Sequence, residues 1–452
     1  MNRKGPWGPF GVTKDARKDL FSLVPAGRPF VVQLFPESPR QMKIVLAPDS
    51  FKECLPAPAV AAAMAAGALQ VAPDAVIDVC PMADGGEGTV EAMVTATGGR
   101  YRTADVFGPL GSPIRARFGI LGALKESPLP GELGLSAAIG QAEGGAGEET
   151  GAAPNGPATA VIEMAAASGL SLVPPDKRDP TRTTTFGTGQ LILAALDAGA
   201  REIIIGIGGS STVDGGAGCA QALGVVFTGP DGQACVCGLS GGALKDIEGI
   251  DISDRDERVG AARIRVACDV SNPLTGPDGA AAVYGPQKGA TPEMVALLEA
   301  GLAHLAGVIR RELKIDVQRS PGAGAAGGLG AGLVAFAGAT LESGVKMIAQ
   351  AVALPRRLAG ADLCITGEGK LDASSLSGKT AVGVARMARE AGVPVICIPG
   401  QAALGVGGEL FAQVRPLVAG DVTVQRAMRK TADLLRLRAA EAVKAFRARR
   451  GC

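Results

Sequence analysis

Short, largely apolar runs recur along the chain. KIVLA at 43–47, VIDVC at 76–80, EIIIGI at 202–207 and LCIT at 363–366 are the clearest, with weaker runs at 264–268 and 393–398. Such runs predict strands buried on both faces. Between them lie Ala-rich stretches with helical spacing, at 57–69, from about 89, from about 217, at 292–313 and at 381–391. A basic amphipathic stretch covers 424–447, and its charge reads as a solvated face. The strong strands run into polar, glycine-rich loops and then a helix. That order predicts an α/β fold with a parallel sheet and ligands at the carboxyl ends of its strands. From about residue 101 the texture changes to short strands mixed with turns. It returns to the doubly wound type after PGAGAAGGLGAG at 321–332. This predicts a discontinuous domain of residues 42–100 plus 322–452, with a mixed α/β domain inserted at 101–321.

Two segments break the pattern. Residues 1–41 are basic and acid-poor and read as a disordered extension; a targeting leader is the other reading. Residues 122–157, rich in Gly, Ala, Glu and Pro, predict a flexible surface insert. The 452 residues are too many for one core, and 47% are hydrophobic but only 3% aromatic. The cores must therefore pack Ala, Val, Leu and Ile closely around glycine. The net charge of +1 gives no chain-wide field for nucleic acid. No apolar run reads as a membrane span. Nine scattered cysteines read as reduced thiols of a cytoplasmic protein. The lone pair Cys235 and Cys237 fits a turn better than a metal site. The single histidine, His304, excludes a zinc site of several His. Proton transfer then falls to carboxylates or a lysine.

The chemistry-bearing residues gather in the loops. GIGGSSTVDGGAG at 206–218 stands after a strand and before a helix. Gly208, Gly209 and Gly215 permit positive φ and close approach of a ligand. Free N–H groups there favour an anion, and Ser210, Ser211 and Thr212 add donors. Asp214 is a candidate proton acceptor or Mg²⁺ ligand. PMADGGEGT offers Asp84 and Glu87, the latter equally a helix cap. APDSFK offers Asp49, Ser50 and Lys52, with Lys52 placed to pair with an anionic substrate. ACDVSNP offers Asp269 and Asn272, which suit Mg²⁺ or a hydroxyl-rich ligand. TGEGKLD offers Glu368, Lys370 and Asp372. The Walker A pattern fails, because ASSLSGKT has Ala373 at its first glycine position. GAGAAG at 322–327 matches the dinucleotide fingerprint, but DVQRSP before it is a poor buried strand. An anion site at Gly324, Gly327 and Gly328, or tight helix packing, explains it better. The whole inventory fits phosphoryl transfer, which rests on positioning and charge neutralisation.

Taken in order, KIVLAPDSFK, PMADGGEGT, TAVIEMAAASGL, DPTRTTTFGTG, IIIGIGGSSTVDGGAG, ACDVSNPLTGPDGAAAVYGPQKGAT, PGAGAAGGLGAG and ITGEGKLDASSLSGK resemble the bacterial glycerate kinase family of the glucarate and glyoxylate pathways. The resemblance runs from about residue 42 to the C-terminus. It implies ATP-dependent phosphorylation of D-glycerate with Mg²⁺. It also implies two α/β domains, one Rossmann-like or flavodoxin-like, with the active site in the cleft between them. Residues 1–41 and 122–157 depart from the family pattern without removing a motif.

Roles then follow from chemistry. Asp214 is the first choice of proton acceptor and Asp372 the second. Lys52, with Asp49, Ser50 and Asn272, is expected on glycerate. Gly208, Gly209, Ser210, Ser211, Thr212, Gly215, Gly324, Gly327, Gly328 and Glu368 are expected on the nucleotide phosphates. Asp84, Glu87 and Asp269 are expected on Mg²⁺. The expected product is 2-phosphoglycerate in preference to 3-phosphoglycerate. No nucleic acid or membrane partner is expected, and a homo-oligomer stays open. The other readings are an NAD-dependent hydroxy-acid dehydrogenase built on GAGAAG, and a carboxylate or nucleotide sensor without turnover.

Overall fold

The structure, a computed structural model, describes residues 41–122, 158–373, 375, 379–403 and 405–450. Apart from residues 41 and 122, the expected extension and insert lie outside the described residues.

Two sheets organise the chain. The first has five parallel strands, β1 (Lys43–Leu46), β2 (Val76–Val79), β11 (Leu363–Thr366), β13 (Val395–Cys397) and β15 (Gln413–Val414), in the order β15-β13-β11-β1-β2. The second has six, β3 (Arg100–Phe107), β4 (Pro113–Ile120), β5 (Ala158–Glu163), β6 (Ala200–Gly206), β9 (Arg263–Ala267) and β10 (Thr340–Glu342), in the order β10-β9-β6-β5-β4-β3. Strands β5, β6, β9 and β10 run parallel, while β3 and β4 form an antiparallel edge. Two small pairs complete the set: β7 (Val226–Thr228) with β8 (Gly249–Asp251), and β12 (Lys370–Leu371) with β14 (Gln401–Ala402). The α/β class expected from the sequence is the class observed.

Both faces of the first sheet are covered, which is why its strands read as largely apolar runs. Ile44 and Leu46 join one core with Val60 and Met64 of the Ala57–Val71 helix and Leu435 and Val443 of the Thr431–Arg450 helix. The two helices approach closely at Gly67, where a side chain would strike the Arg436 carbonyl. Val45 and Ala47 point the other way, into a core with Met93, Ile348 and Val384. Val161, Ile204 and Ala267 of the second sheet enter that same core. The Thr89–Thr97 and Gly344–Ala351 helices therefore pack between the sheets. Ile203 and Ile205 face outward, onto Leu191 and Ile192 of the Phe186–Asp197 helix.

Residues 322–342, assigned by the sequence pattern to the first sheet's domain, pack with the second sheet. β10 pairs with β9, and Leu329 and Leu333 share a core with Ile203 and Val266. The Pro292–Leu313 helix, in contrast to the expectation, is long and apolar enough to cross a membrane by length and composition. Its apolar positions Leu298, Leu302, Leu305 and Ile309 are buried against Leu244 and Phe336, so the run is a core face.

Candidate active site

The carboxyl ends of four parallel strands open into one cavity of about 330 Å³. β1 contributes Asp49, Ser50, Phe51 and Lys52, β2 contributes Asp84, β11 contributes Glu368, Gly369 and Lys370, and β13 contributes Gly400 and Gln401. Pairing continues beyond the strands and holds these tips. The Asp49 N–H donates to the Gly367 carbonyl at 2.9 Å, and the Gly400 N–H to the Glu368 carbonyl at 2.9 Å. The opposite wall is apolar, made by Leu417, Val418, Val424, Ala427 and Met428, with Cys54 beside it.

The acids of this cavity are electrostatically linked. Asp49 accepts from the Ser50 N–H at 2.6 Å and from Thr380 Oγ1 at 2.5 Å. Burial, then the neighbouring Asp84, push its pKa up to about 6. Glu368 is 6% exposed, and its Oε1 has no hydrogen-bond partner among the described residues. Burial, with Asp49 and Asp372 adding, pushes Glu368 up to about 7 against the pull of Ser375 and Lys379. Burial and Asp84 also raise Asp269, which accepts from the Gly344 N–H at 3.0 Å. Glu368, Asp49, Asp84 and Asp269 thus form a row of mutually repelling carboxylates running from the cavity toward the second sheet.

The link between the sheets is the loop after β2. Gly85, at φ +92°, lies against Ala267, so that a Cβ there would meet the Ala267 Cβ at 2.5 Å. A Cβ at Gly206 would meet the Gly85 carbonyl at 2.5 Å, and one at Gly208 the Gly86 Cα at 2.8 Å. The glycines let two backbones pass each other without side chains. Asp84 Oδ1 accepts from the Gly86 N–H at 3.0 Å, which fixes the loop. Glu87 is exposed beside it, just before the Thr89–Thr97 helix.

Within 206–218 only Gly208 and Gly209 reach the surface, with Ser210 9% exposed. Ser211 is turned inward, its Oγ donating to the Ser168 carbonyl at 3.0 Å. Thr212 Oγ1 is buried with no partner among the described residues. Asp214 is fully buried and accepts from the Thr185 N–H and Oγ1, each at 2.7 Å, and from the Gly216 N–H at 3.2 Å. Burial raises its pKa against these donors. An acid so enclosed does not line the cavity. Lys288, not singled out by its sequence context, lies beneath the same turn. Its Nζ donates to Ser210 Oγ and to the Thr212 carbonyl, both at 2.7 Å. Burial pushes its pKa down to about 7, with Asp214 opposing.

The second glycine segment interlocks with the first. A Cβ at Gly328 would meet the Gly215 Cα at 2.8 Å, and one at Gly216 the Gly332 Cα at 3.0 Å. The Gly215 N–H donates to the Gly327 carbonyl at 3.0 Å. At Gly327 a side chain would run into the Thr212 carbonyl, and at Gly324 into that of Pro273. The missing side chains at Gly324, Gly327 and Gly328 admit neighbouring backbone, and the one at Gly215 admits the Leu305 side chain. No strand precedes GAGAAG among residues 316–321, so the dinucleotide reading has no support. Asn272 uses both ends of its amide locally, donating to the Asp278 carbonyl and accepting from Tyr284 Oη, each at 2.8 Å. Asp372 pairs with Lys370 at 3.2 Å beside the cavity.

Parallel strand tips that gather carboxylates and lysines around one cavity have the make-up of a phosphotransferase of small molecules. The glycerate kinase family model matches residues 44–447. The chain is 48% identical over 366 residues to a glycerate 2-kinase of Escherichia coli (strain K12), covering 81% of this chain and 87% of that one. It is 47% identical over 359 residues to a glycerate kinase of Bacillus subtilis (strain 168), covering 79% and 85%. A crystal structure described as a candidate glycerate kinase 2 from Salmonella typhimurium LT2 has a TM-score of 0.77 and 43% identity, covering 91% of this chain and 100% of that chain. The chain belongs to the glycerate kinase family, as the sequence motifs implied, and is an enzyme of the kinase class.

Proposed function

We propose that the chain transfers the γ-phosphate of ATP to a hydroxyl of D-glycerate in the cleft between its two sheets. The observation that carries this reading is the row Glu368, Asp49, Asp84 and Asp269, which leads from a partly apolar cavity to the glycine turn of the second sheet. The wall of Leu417, Val418 and Met428 suits an adenine ring, and Glu368 suits the ribose hydroxyls. Lys52, Lys370 and Lys379 line the same cavity and suit the phosphates. The Ser210 hydroxyl and the N–H groups of Gly209 and Ser210, across the loop at Asp84, suit the glycerate carboxylate; the Gly208 N–H is already given to the Gly85 carbonyl at 3.3 Å.

The glycerate hydroxyl attacks the γ-phosphorus, the bond to the ADP oxygen breaks, and the hydroxyl proton passes to Asp49. A carboxylate lifted to about 6 and oriented by Thr380 is matched to that task near neutral pH. Magnesium is commonly bound by one or two carboxylates together with nucleotide phosphates. Asp84 and Asp269 fit that donor set and would hold the ion, which supplies charge neutralisation of the phosphates when bound. No group of three or more acidic, His or Cys side chains stands ready to bind a metal alone among the described residues. This is consistent with an ion that arrives with the nucleotide.

We favour 2-phosphoglycerate as product, since the C2 hydroxyl adjoins the anchored carboxylate and the Escherichia coli relative is named a glycerate 2-kinase. We assign the reaction to the cytoplasm, supported by eight described cysteines that form no disulfide. An ATP-consumption assay with D-glycerate, followed by phosphorus NMR of the product, tests the proposal. It expects ADP and 2-phosphoglycerate in equal amounts. ADP formation no faster than without glycerate rejects the reading, and 3-phosphoglycerate rejects the regiochemistry.

A further inference from the structure

Lys288 is 2% exposed, and burying an ammonium group is costly unless its donors are satisfied. Both of its hydrogen bonds go to one segment, Ser210 Oγ and the Thr212 carbonyl. The lysine arrives from a different part of the chain, the turn Pro286–Lys288 after the Ala280–Tyr284 helix. The nearest opposing charge, Asp214, is already engaged by Thr185 and Gly216. A core that needed only volume here would be filled at less cost by a methionine or leucine. What the lysine adds is a fixed direction for the Ser210 hydroxyl, beneath the only part of 206–218 that reaches the surface.

We propose that Lys288 is a positioning residue for the kinase reaction, holding the Ser210 hydroxyl and the 208–210 turn in the orientation that takes the substrate carboxylate. This rests on the reading that the turn holds glycerate. The two claims separate by experiment. Ser210→Ala, Lys288→Met and the double variant are made in the full chain, melting temperatures are checked, and KM for glycerate, KM for ATP and kcat are measured independently. Loss of one hydrogen bond to a charged group predicts that Ser210→Ala raises KM for glycerate about tenfold and leaves KM for ATP unchanged. Lys288→Met is expected to do the same. Adding it to Ser210→Ala should change glycerate KM by less than about twofold, because the lysine acts through the serine. Lys288→Gln keeps a donor and should recover part of the loss; it also serves if Lys288→Met does not fold. Should Ser210→Ala raise KM for glycerate while the Lys288 variants leave it unchanged, or should the two effects multiply, the role of Lys288 is overturned and the glycerate site stands. An unchanged glycerate KM in Ser210→Ala overturns the placement of glycerate itself.

Discussion

At the residue scale, burial and neighbouring carboxylates raise the pKa values of Asp49, Asp269 and Glu368. Glu368 has a raised pKa, about 7 against 4.5 in the unfolded chain. The folded protein therefore holds that proton more tightly than the unfolded one. Stability from this group is fully present below pH 4.5 and is lost as pH rises through 7. Glu368→Gln should remove the penalty. At pH 8 the variant is expected to be more stable by on the order of 2–3 kcal/mol, with no gain at pH 4. Denaturant unfolding at the two pH values checks this; equal shifts at both would contradict it. Asp49, Ser50, Lys52, Asp84 and Glu368 were legible in the sequence because each directly follows a strand whose end is marked by the apolar pattern. Asp214 was equally prominent and lies elsewhere, because an acid beside glycines reads the same whether it faces a ligand or caps a buried loop. Thr380 and Lys288 gave no signal, since their roles depend on partners more than 70 residues away.

At the scale of elements, the glycine-rich segments divide by what their missing side chains admit. The 84–88 loop and Gly206–Gly208 admit each other and so bring the two sheets together. The 322–332 run admits the 212–216 backbone and builds the core of the second sheet's side. Sequence alone does not separate these uses, because a glycine run reads the same in either setting. The separation can be measured. At Gly98 (φ +62°) nothing lies within 4 Å of an added Cβ, so Gly98→Ala carries only backbone strain, about 1 kcal/mol. At Gly327 (φ +70°) the same strain is joined by a clash with the Thr212 carbonyl. Gly327→Ala is expected to cost at least about 3 kcal/mol or to abolish folding. Equal unfolding midpoints for the two variants would contradict the interlocking account.

At the scale of the molecule, a parallel sheet with a cavity at its strand tips faces a second sheet across a loop that belongs to the first and touches the second. The fold class was legible because the central parallel strands of both sheets are buried on two faces, which turns them into largely apolar runs. The apolar wall at 417–428 was not legible, since its short apolar residues sit in turns with no period. In the proposed reaction the carboxylate row performs the chemistry and Asp49 takes the proton. The most direct test is kcat for Asp49→Asn, measured with saturating ATP and D-glycerate on protein whose melting temperature is unchanged or higher. The account predicts a fall of about 100-fold or more. A kcat within about threefold of the parent chain would contradict it.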